Sequence, residues 1–270
     1  MTDSNTPSLE ITLFRGWSDK GCYVWSPFVT KLELRLRLSN VSYQTAAGSM
    51  RAAPTGKIPY VEVREKDQPS LPTSAVGDST LIAKYLTERG VIDDLNANLD
   101  ASVKAQDLAM RALVEDRLYF FNMRERWIDN FYIQRDHVLT ALSYPLRVVV
   151  GLMIHRTHCQ TLHGQGTGRY SADEARRFRE DIWTSLHGLL EESRKKALER
   201  CGGADDGSCF WCLGGDGPTE CDTSVFGFVC SALIAKSSPE SKEFVRNLPA
   251  VLDYATRIHG KYLPDYEKWD

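Results

Sequence analysis

Apolar and polar positions change period once along the chain. Residues 11–17 (ITLFRGW) alternate, with β-branched and aromatic content, and predict a first strand. After a connection over 18–25, Ser26 suits a helix cap and Pro27 the first helical turn, where its missing N–H removes no hydrogen bond. Phe28, Val29, Leu32 and Leu36 follow at helical spacing, and Asn40 marks the stop. Residues 41–47 predict a second strand, parallel to the first because a helix joins them. Proline is tolerated in a sheet only at an edge, a bulge or a strand's first residue, so the third strand runs over 60–64, after Pro59. The polar stretch 65–70 predicts a hairpin turn, and 71–76 a weaker fourth strand. Asp78-Ser79 then opens a helix with Leu81, Ile82, Tyr85 and Leu86 at helical spacing, and this unit ends near Gly90.

Beyond Gly90 strand signals almost vanish. Residues 100–125 form one long helical pattern, with Leu108, Leu113, Leu118 and Tyr119 among its apolar positions. An aromatic-rich pattern continues over 127–138, Tyr144-Pro145 marks a break, and 146–162 is a further helix, basic on one side. Ser171 and Glu174 form a capping box that opens a helix to about Glu199. After a Gly- and Asp-rich loop at 201–208, Thr219 to Asp222 caps a helix carrying Phe226, Val229, Leu233 and Ile234. Pro249 starts a last helix, with Val251, Leu252, Tyr254 and Ile258 inward. The pattern is a small α/β unit followed by an all-helical one.

Composition narrows the function classes. A chain of 270 residues, 42 % apolar and 26 % charged, suits a soluble globular protein of one large or two modest domains. A net charge of −3 offers no electrostatic footprint for nucleic acid. The longest apolar runs, 148–154 and 226–235, are too short to span a bilayer, and residues 1–9 are a polar tail rather than a secretory signal. Seven cysteines then predict mostly reduced thiols in a cytoplasmic protein.

Two short motifs carry chemistry. An Xaa-Pro bond at the start of a strand, here Ile58-Pro59, suits a cis peptide that turns the backbone groups of Ile58 toward a ligand. Asp78 and Ser79 place a carboxylate, a hydroxyl and free N–H groups together at a helix N-terminus, a setting for an amino-acid-like carboxylate. Ile-Pro followed about twenty residues later by Asp-Ser resembles the glutathione-binding half of the glutathione transferase fold, and the strand order resembles the thioredoxin-like one. The resemblance implies an N-terminal thioredoxin-like domain over 1–90 and an all-helical domain over 91–270 that lines a hydrophobic pocket. It implies glutathione as the bound co-substrate. It also implies that Ile58 pairs with the cysteinyl backbone, that Pro59 is cis, that Asp78 and Ser79 hold the γ-glutamyl end, and that Lys57 adds a charge contact.

Further segments resemble one branch, the Failed axon connections and metaxin-like proteins: Ser26-Pro27-Phe28 with Lys31 to Leu38, the aromatic stretch from Trp127 to Tyr132, the loop from His163 to Tyr170, the run from Leu213 to Asp222, and Pro249 to Asp265. The resemblance covers about residues 11–266. The chain departs from mitochondrial metaxins in lacking a C-terminal membrane segment. It also lacks a tyrosine or serine close behind the first strand, since eight residues separate Trp17 from Ser26.

A free thiol titrates near about 8.5, so a transferase places a hydroxyl or thiol donor and a helix N-terminus beside the sulfur. Ser26 offers both, or is only a helix cap; Cys22 is the competing candidate, as a reductase-type nucleophile or an ordinary loop thiol. Trp17, Tyr23 and Trp25, with Tyr119, Trp127 and Tyr132, are candidates for the substrate pocket or for the core. Cys201, Cys209, Cys212 and Cys221 have spacings of eight, three and nine, which is no paired-knuckle pattern, so no metal is expected. His155, His158 and His163 suggest a solvated basic face. The resulting expectation is an enzyme that conjugates glutathione to a small hydrophobic electrophile, or uses it to isomerise one. The alternative is a non-catalytic metaxin-like adaptor using the same shape for protein or membrane contacts. A homodimer is a family-level expectation.

Overall fold

The computed structural model describes residues 9–66 and 72–269; residues 1–8 of the expected polar tail, residues 67–70 of the expected hairpin turn, and Leu71, where the fourth strand was expected to start, lie outside them. Strands β1 (Leu9–Phe14), β2 (Gln44–Ala46), β3 (Tyr60–Glu65) and β4 (Ser74–Gly77) form one mixed sheet in the order β2-β1-β3-β4. β1 and β2 are parallel, while β3 is antiparallel to β1 and β4 to β3. Alternation explains the pleat: Val61 and Val63 face the core, Glu62 and Arg64 face solvent. β1 ends at Phe14 rather than Trp17 because Gly16 takes a left-handed conformation, φ +90°, and turns the chain out. β2 shrinks from the expected 41–47 to three residues, as an edge strand paired only with β1.

Helix α1 (Pro27–Leu38) joins β1 to β2, and α2 (Ser79–Glu88) follows β4. Leu32 and Leu36 of α1 and Ile82 and Leu86 of α2 pack with Ile11, Leu13, Val61 and Val63 into a core around the sheet. Leu81 and Leu108, expected among the apolar positions, are exposed.

The long helical pattern is continuous from Ala101 but not uniform. α3 (Ala101–Ala112) passes into a π-helical turn (Leu113–Leu118), α4 (Tyr119–Arg124) and a second π-helical turn (Glu125–Asp129) before α5 (Phe131–Val138). α6 (Tyr144–Gln165) begins where a break was expected, with Pro145 in its first turn, and a 3-10 turn (Thr167–Arg169) leads to α7 (Ala172–Arg200). Both expected capping boxes are present: Ser171 with Glu174 on α7, and Thr219 with Asp222 on α8 (Glu220–Ile234). α9 (Pro239–Arg246), not expected, precedes α10 (Pro249–Tyr262).

α8 is buried around its circumference and runs through the centre of the second core, against Leu118, Phe121, Trp183, Leu186, Val251 and Tyr254. It also covers α1. Three charged residues of α1 are buried, each with a partner: Lys31 with Glu115 at 2.7 Å, Glu33 with Arg15 at 2.8 Å, Arg35 with Glu220 at 2.7 Å. The end of the chain returns to the first unit. Asp265 pairs with Arg37 at 2.7 Å, the Tyr266 hydroxyl donates to Glu33 at 2.7 Å, and the Glu267 amide donates to the Gly21 carbonyl at 2.7 Å.

Candidate functional site

Sheet register assembles the site. Phe14 of β1 faces Tyr60 of β3, and Tyr60 faces Gly77 of β4. The chain segments that follow β1, precede β3 and follow β4 therefore emerge at one end of the sheet, and α1 starts at that same end. Close contacts tie them together. A Cβ on Gly16 would stand 3.2 Å from the Ile58 side chain, and one on Gly77 would stand 2.7 Å from the Thr55 hydroxyl.

The Ile58–Pro59 peptide bond is cis; Pro59 is buried, Ile58 half-buried and Lys57 exposed. Asp78 takes a left-handed conformation, φ +74°, and its carboxylate accepts from the Thr80 and Leu81 amides at 2.9 and 3.1 Å, capping α2. Ser79 is buried at the first position of that helix. Beside it the Lys31 ammonium donates to the Thr80 hydroxyl at 2.8 Å as well as to Glu115. The N-terminus of α2 thus carries its own partial positive charge and a neighbouring ammonium.

Ser26 occupies the N-cap position of α1 with an extended backbone, yet its side chain makes no capping hydrogen bond. Its hydroxyl is left at a helix N-terminus, where the dipole favours an anion. Cys22 sits in different surroundings. Its thiol lies 3.7 Å from a Glu267 carboxylate oxygen, and burial, then that carboxylate and Asp19, push it up, with only Arg15 pulling down. These surroundings disfavour the thiolate a nucleophile needs.

The aromatic candidates separate. Trp17 and Trp25 meet through His137 of α5, whose imidazole stacks on both. Tyr119 packs on Phe28, two residues after Ser26, with ring centres 5.4 Å apart. Tyr23 is buried instead in the second core, against Phe226 and Tyr266, with its hydroxyl 2.8 Å from Nδ1 of His259. Trp127 lies against His158, 4.7 Å between ring centres, and Tyr132 is 70 % exposed beneath the Arg135 guanidinium. Nothing in the sequence pattern pointed to His137, which lies on another helix and outside every motif.

The cysteines and histidines away from this end have structural surroundings. Cys212, Cys221 and Asp222 are buried with ligand atoms within 4.8 Å, while Cys201 is exposed at the end of α7. The Asp222 carboxylate already accepts from the Cys212 amide at 2.7 Å, the Thr219 amide at 2.8 Å and the Tyr254 hydroxyl at 3.0 Å, which latches the loop to α8. His155 and His158 do not form the expected solvated face. His155 lies edge-on to Phe131, and burial, aided by His155, holds His158 down at about 4. A surface cavity of about 280 Å³ between α7 and α10 is lined by Arg194, Arg200 and Arg257, each paired with an aspartate. Cys201 also lines it, while Ser26, Ile58, Pro59, Asp78 and Ser79 do not.

Residues 27–131 match the family model described as the glutathione S-transferase N-terminal domain, a match that runs past Gly90. The isoprene-epoxide glutathione S-transferase of Rhodococcus sp. (strain AD45) is 26 % identical over 252 residues, covering 88 % of this chain and 92 % of that protein. Glutathione transferase GSTFuA3 of Phanerochaete chrysosporium superposes with a TM-score of 0.54 at 16 % identity, covering 97 % of this chain and 98 % of its own. A glutathione transferase family member of Pseudomonas fluorescens pf-5, solved with two glutathione bound, superposes with a TM-score of 0.53 at 12 % identity over 94 % of this chain and 90 % of its own. The low identities make these likenesses of fold. With the mixed four-stranded sheet followed by helices, the fold is that of the glutathione transferases, and residues 27–131 carry the match to their N-terminal domain.

Proposed function

We propose that the chain is a glutathione transferase-like enzyme that conjugates glutathione to a small hydrophobic electrophile or uses it to isomerise one. The observation that carries this reading is the pairing of a free Ser26 hydroxyl at the start of α1 with the cis Ile58–Pro59 bond at the same end of the sheet. Ile58 offers its backbone to the cysteinyl part of the tripeptide, Asp78 and Ser79 hold the γ-glutamyl end, and Lys57 adds a solvent-side charge. The Ser26 hydroxyl donates to the sulfur and, with the α1 N-terminus, favours the thiolate over the thiol. The activity named for the Rhodococcus relative, on an epoxide of isoprene, supports an electrophile of this size and polarity.

Within the superfamily, the motifs around Trp127, His163 and Pro249 are the reason to place the chain on the Failed axon connections and metaxin-like branch. The division into units over 1–90 and 91–270, the cytoplasm as location and a homodimer belong to the same proposal. Among the described residues no helix is long and apolar enough to cross a membrane. The exposed apolar positions Tyr144, Leu146, Val149 and Met153 on α6 favour a second copy as partner.

Calorimetry with millimolar glutathione, followed by turnover assays with a panel of electrophiles, tests the reading. Heat of binding and conjugation above the uncatalysed rate are expected. Absence of both would overturn it and leave a non-catalytic adaptor.

A further inference from the structure

Arg126, in the second π-helical turn, is buried, and its guanidinium reaches the segment that enters α1. Nη1 donates to the Trp25 carbonyl at 2.9 Å, Nη2 to the Ser231 carbonyl and hydroxyl at 3.1 and 2.9 Å, and Nε to the Ser238 hydroxyl at 2.7 Å. None of these acceptors is a carboxylate. Glu125, the neighbouring acid, is engaged elsewhere: it accepts from the Ser241 amide at 3.0 Å and from its hydroxyl, and pairs with Arg179 at 3.2 Å. Burial pulls Arg126 down to about 10, against Glu125 and Tyr119, so it stays charged at neutral pH. Burial also pushes Tyr119 up and holds His137 down, so both are uncharged there and neither cancels it. A buried charge is costly, and folded proteins keep one where it is paired or where a site uses it.

The Trp25 carbonyl alone does not account for a guanidinium. The Ser231 hydroxyl also donates to that oxygen, and a second neutral donor would satisfy it at less cost than a charge. The carbonyl belongs to the peptide that continues into Ser26, and standard backbone dimensions place Nη1 within about 6 Å of the Ser26 α-carbon. At the other end of this trans peptide the Ser26 amide points away from the carbonyl and has no acceptor among the described residues. Amide, hydroxyl and the α1 N-terminus thus meet at Ser26, with a buried cation one peptide unit behind them.

We propose that Arg126 is a positioning residue of the thiol site: it fixes the peptide leading into Ser26 and, as a buried cation behind that peptide, favours the thiolate form of the glutathione held there. This rests on the glutathione-dependent reading above. The thiol proton leaves to solvent and no bond to the protein forms. The negative charge left on sulfur balances a guanidinium that no carboxylate of the chain contacts among the described residues.

Thiolate ultraviolet absorbance against pH, at saturating glutathione, compares native protein with Arg126→Gln, Arg126→Lys and Ser231→Ala, and calorimetry gives the affinity of each. The native-bound thiol should titrate at least about one unit below the value near 8.5 of a free thiol. Glutamine keeps an N–H donor but removes the charge, and should raise that value by about one unit, the scale of a single charge roughly 10 Å away. Lysine keeps the charge and should stay within about 0.3 unit of native. Ser231→Ala removes a donor from the same carbonyl and no charge, so the thiol should titrate as in the native protein. No shift in the glutamine variant, an equal shift in the lysine or Ser231 variant, or a native thiol that titrates like free glutathione would overturn the inference. No heat of glutathione binding to the native protein would overturn the proposed function itself. If neither Arg126 variant folds, salt decides on the native protein. A buried charge is screened little, so the bound thiol should titrate alike at low and molar salt, whereas a rise to the free value would assign the effect to exposed charges such as Lys57.

Discussion

Gly227 of α8 lies against the main chain at the start of α1, so closely that a Cβ there would stand 2.3 Å from the Pro27 carbonyl oxygen and 3.0 Å from the Lys31 nitrogen. The two helices touch backbone to backbone one residue after Ser26. The central apolar helix is therefore also the platform for the candidate thiol site.

Gly227→Ala must push the helices apart, because the obstructing atoms are main chain and cannot rotate away. Overpacking of this kind typically costs about 1–3 kcal/mol, and α1 should shift with Ser26 on it. Urea denaturation should show a lower midpoint, with glutathione affinity reduced in the same variant. An unchanged midpoint would mean that the crossing has slack.

Asp78 caps α2 and is proposed to meet the γ-glutamyl end, and two substitutions separate these roles. Asp78→Ala should lose about 0.5–2 kcal/mol with the cap. It should also weaken glutathione binding more than about tenfold, the value of one buried charge-assisted contact. Asp78→Asn keeps a capping oxygen and tolerates the left-handed backbone, so its stability should stay near native while binding still falls. Calorimetry with glutathione and thermal unfolding on both variants measure the two effects.

Ser26→Ala should raise the pKa of the bound glutathione thiol, read from thiolate ultraviolet absorbance against pH, and lower turnover. Cys22→Ala should leave both unchanged, since burial and the Glu267 carboxylate already hold that thiol protonated. Loss of activity in the Cys22 variant alone would move the nucleophile there.

Stability should fall on both sides of a weakly acidic optimum. His158 is held down at about 4 by burial, so its contribution is complete above its unfolded value of 6.5 and is lost as the pH falls toward 4. Glu33 is pushed up to about 7 by burial, against Arg15 and Tyr266. Its contribution is therefore complete below its unfolded value of 4.5 and is lost as the pH rises through about 7. Between about pH 5 and about pH 6.5 the two contributions oppose each other, so His158→Phe, which keeps a ring against Trp127, should leave the Glu33 slope alone, seen as a urea midpoint that falls more steeply with rising pH than in the native protein. Equal slopes in variant and native protein would assign the acid limb to another group.

Much of the first unit was legible because its signals are local. Alternation marked β1 and β3, Pro59 set where β3 begins, and Asp78 announced α2 within two residues. The same holds for the boxes at Ser171 and Thr219, where a side chain satisfies an amide three residues away. The π-helical turns were not legible, since one extra residue per turn barely changes an apolar pattern read by eye. α9 was missed because eight residues after Pro239 carry too few apolar positions to establish a period.

Local chemistry in the sequence therefore determined the strand order, most of the helices, the caps and the two motifs at Ile58-Pro59 and Asp78-Ser79. Only the tertiary structure decided which side chains share a space. Lys31, Glu33 and Arg35 carry charges that the fold buries with partners from other segments, and Tyr23, a candidate for pocket or core, is settled in the core by the C-terminal segment that packs on it. His137 had no signal at all, because its partners Trp17 and Trp25 lie more than a hundred residues before it and meet it only when α5 docks on the end of the sheet. Periodicity reports neighbours within one element, while a site between elements depends on packing that no single segment encodes.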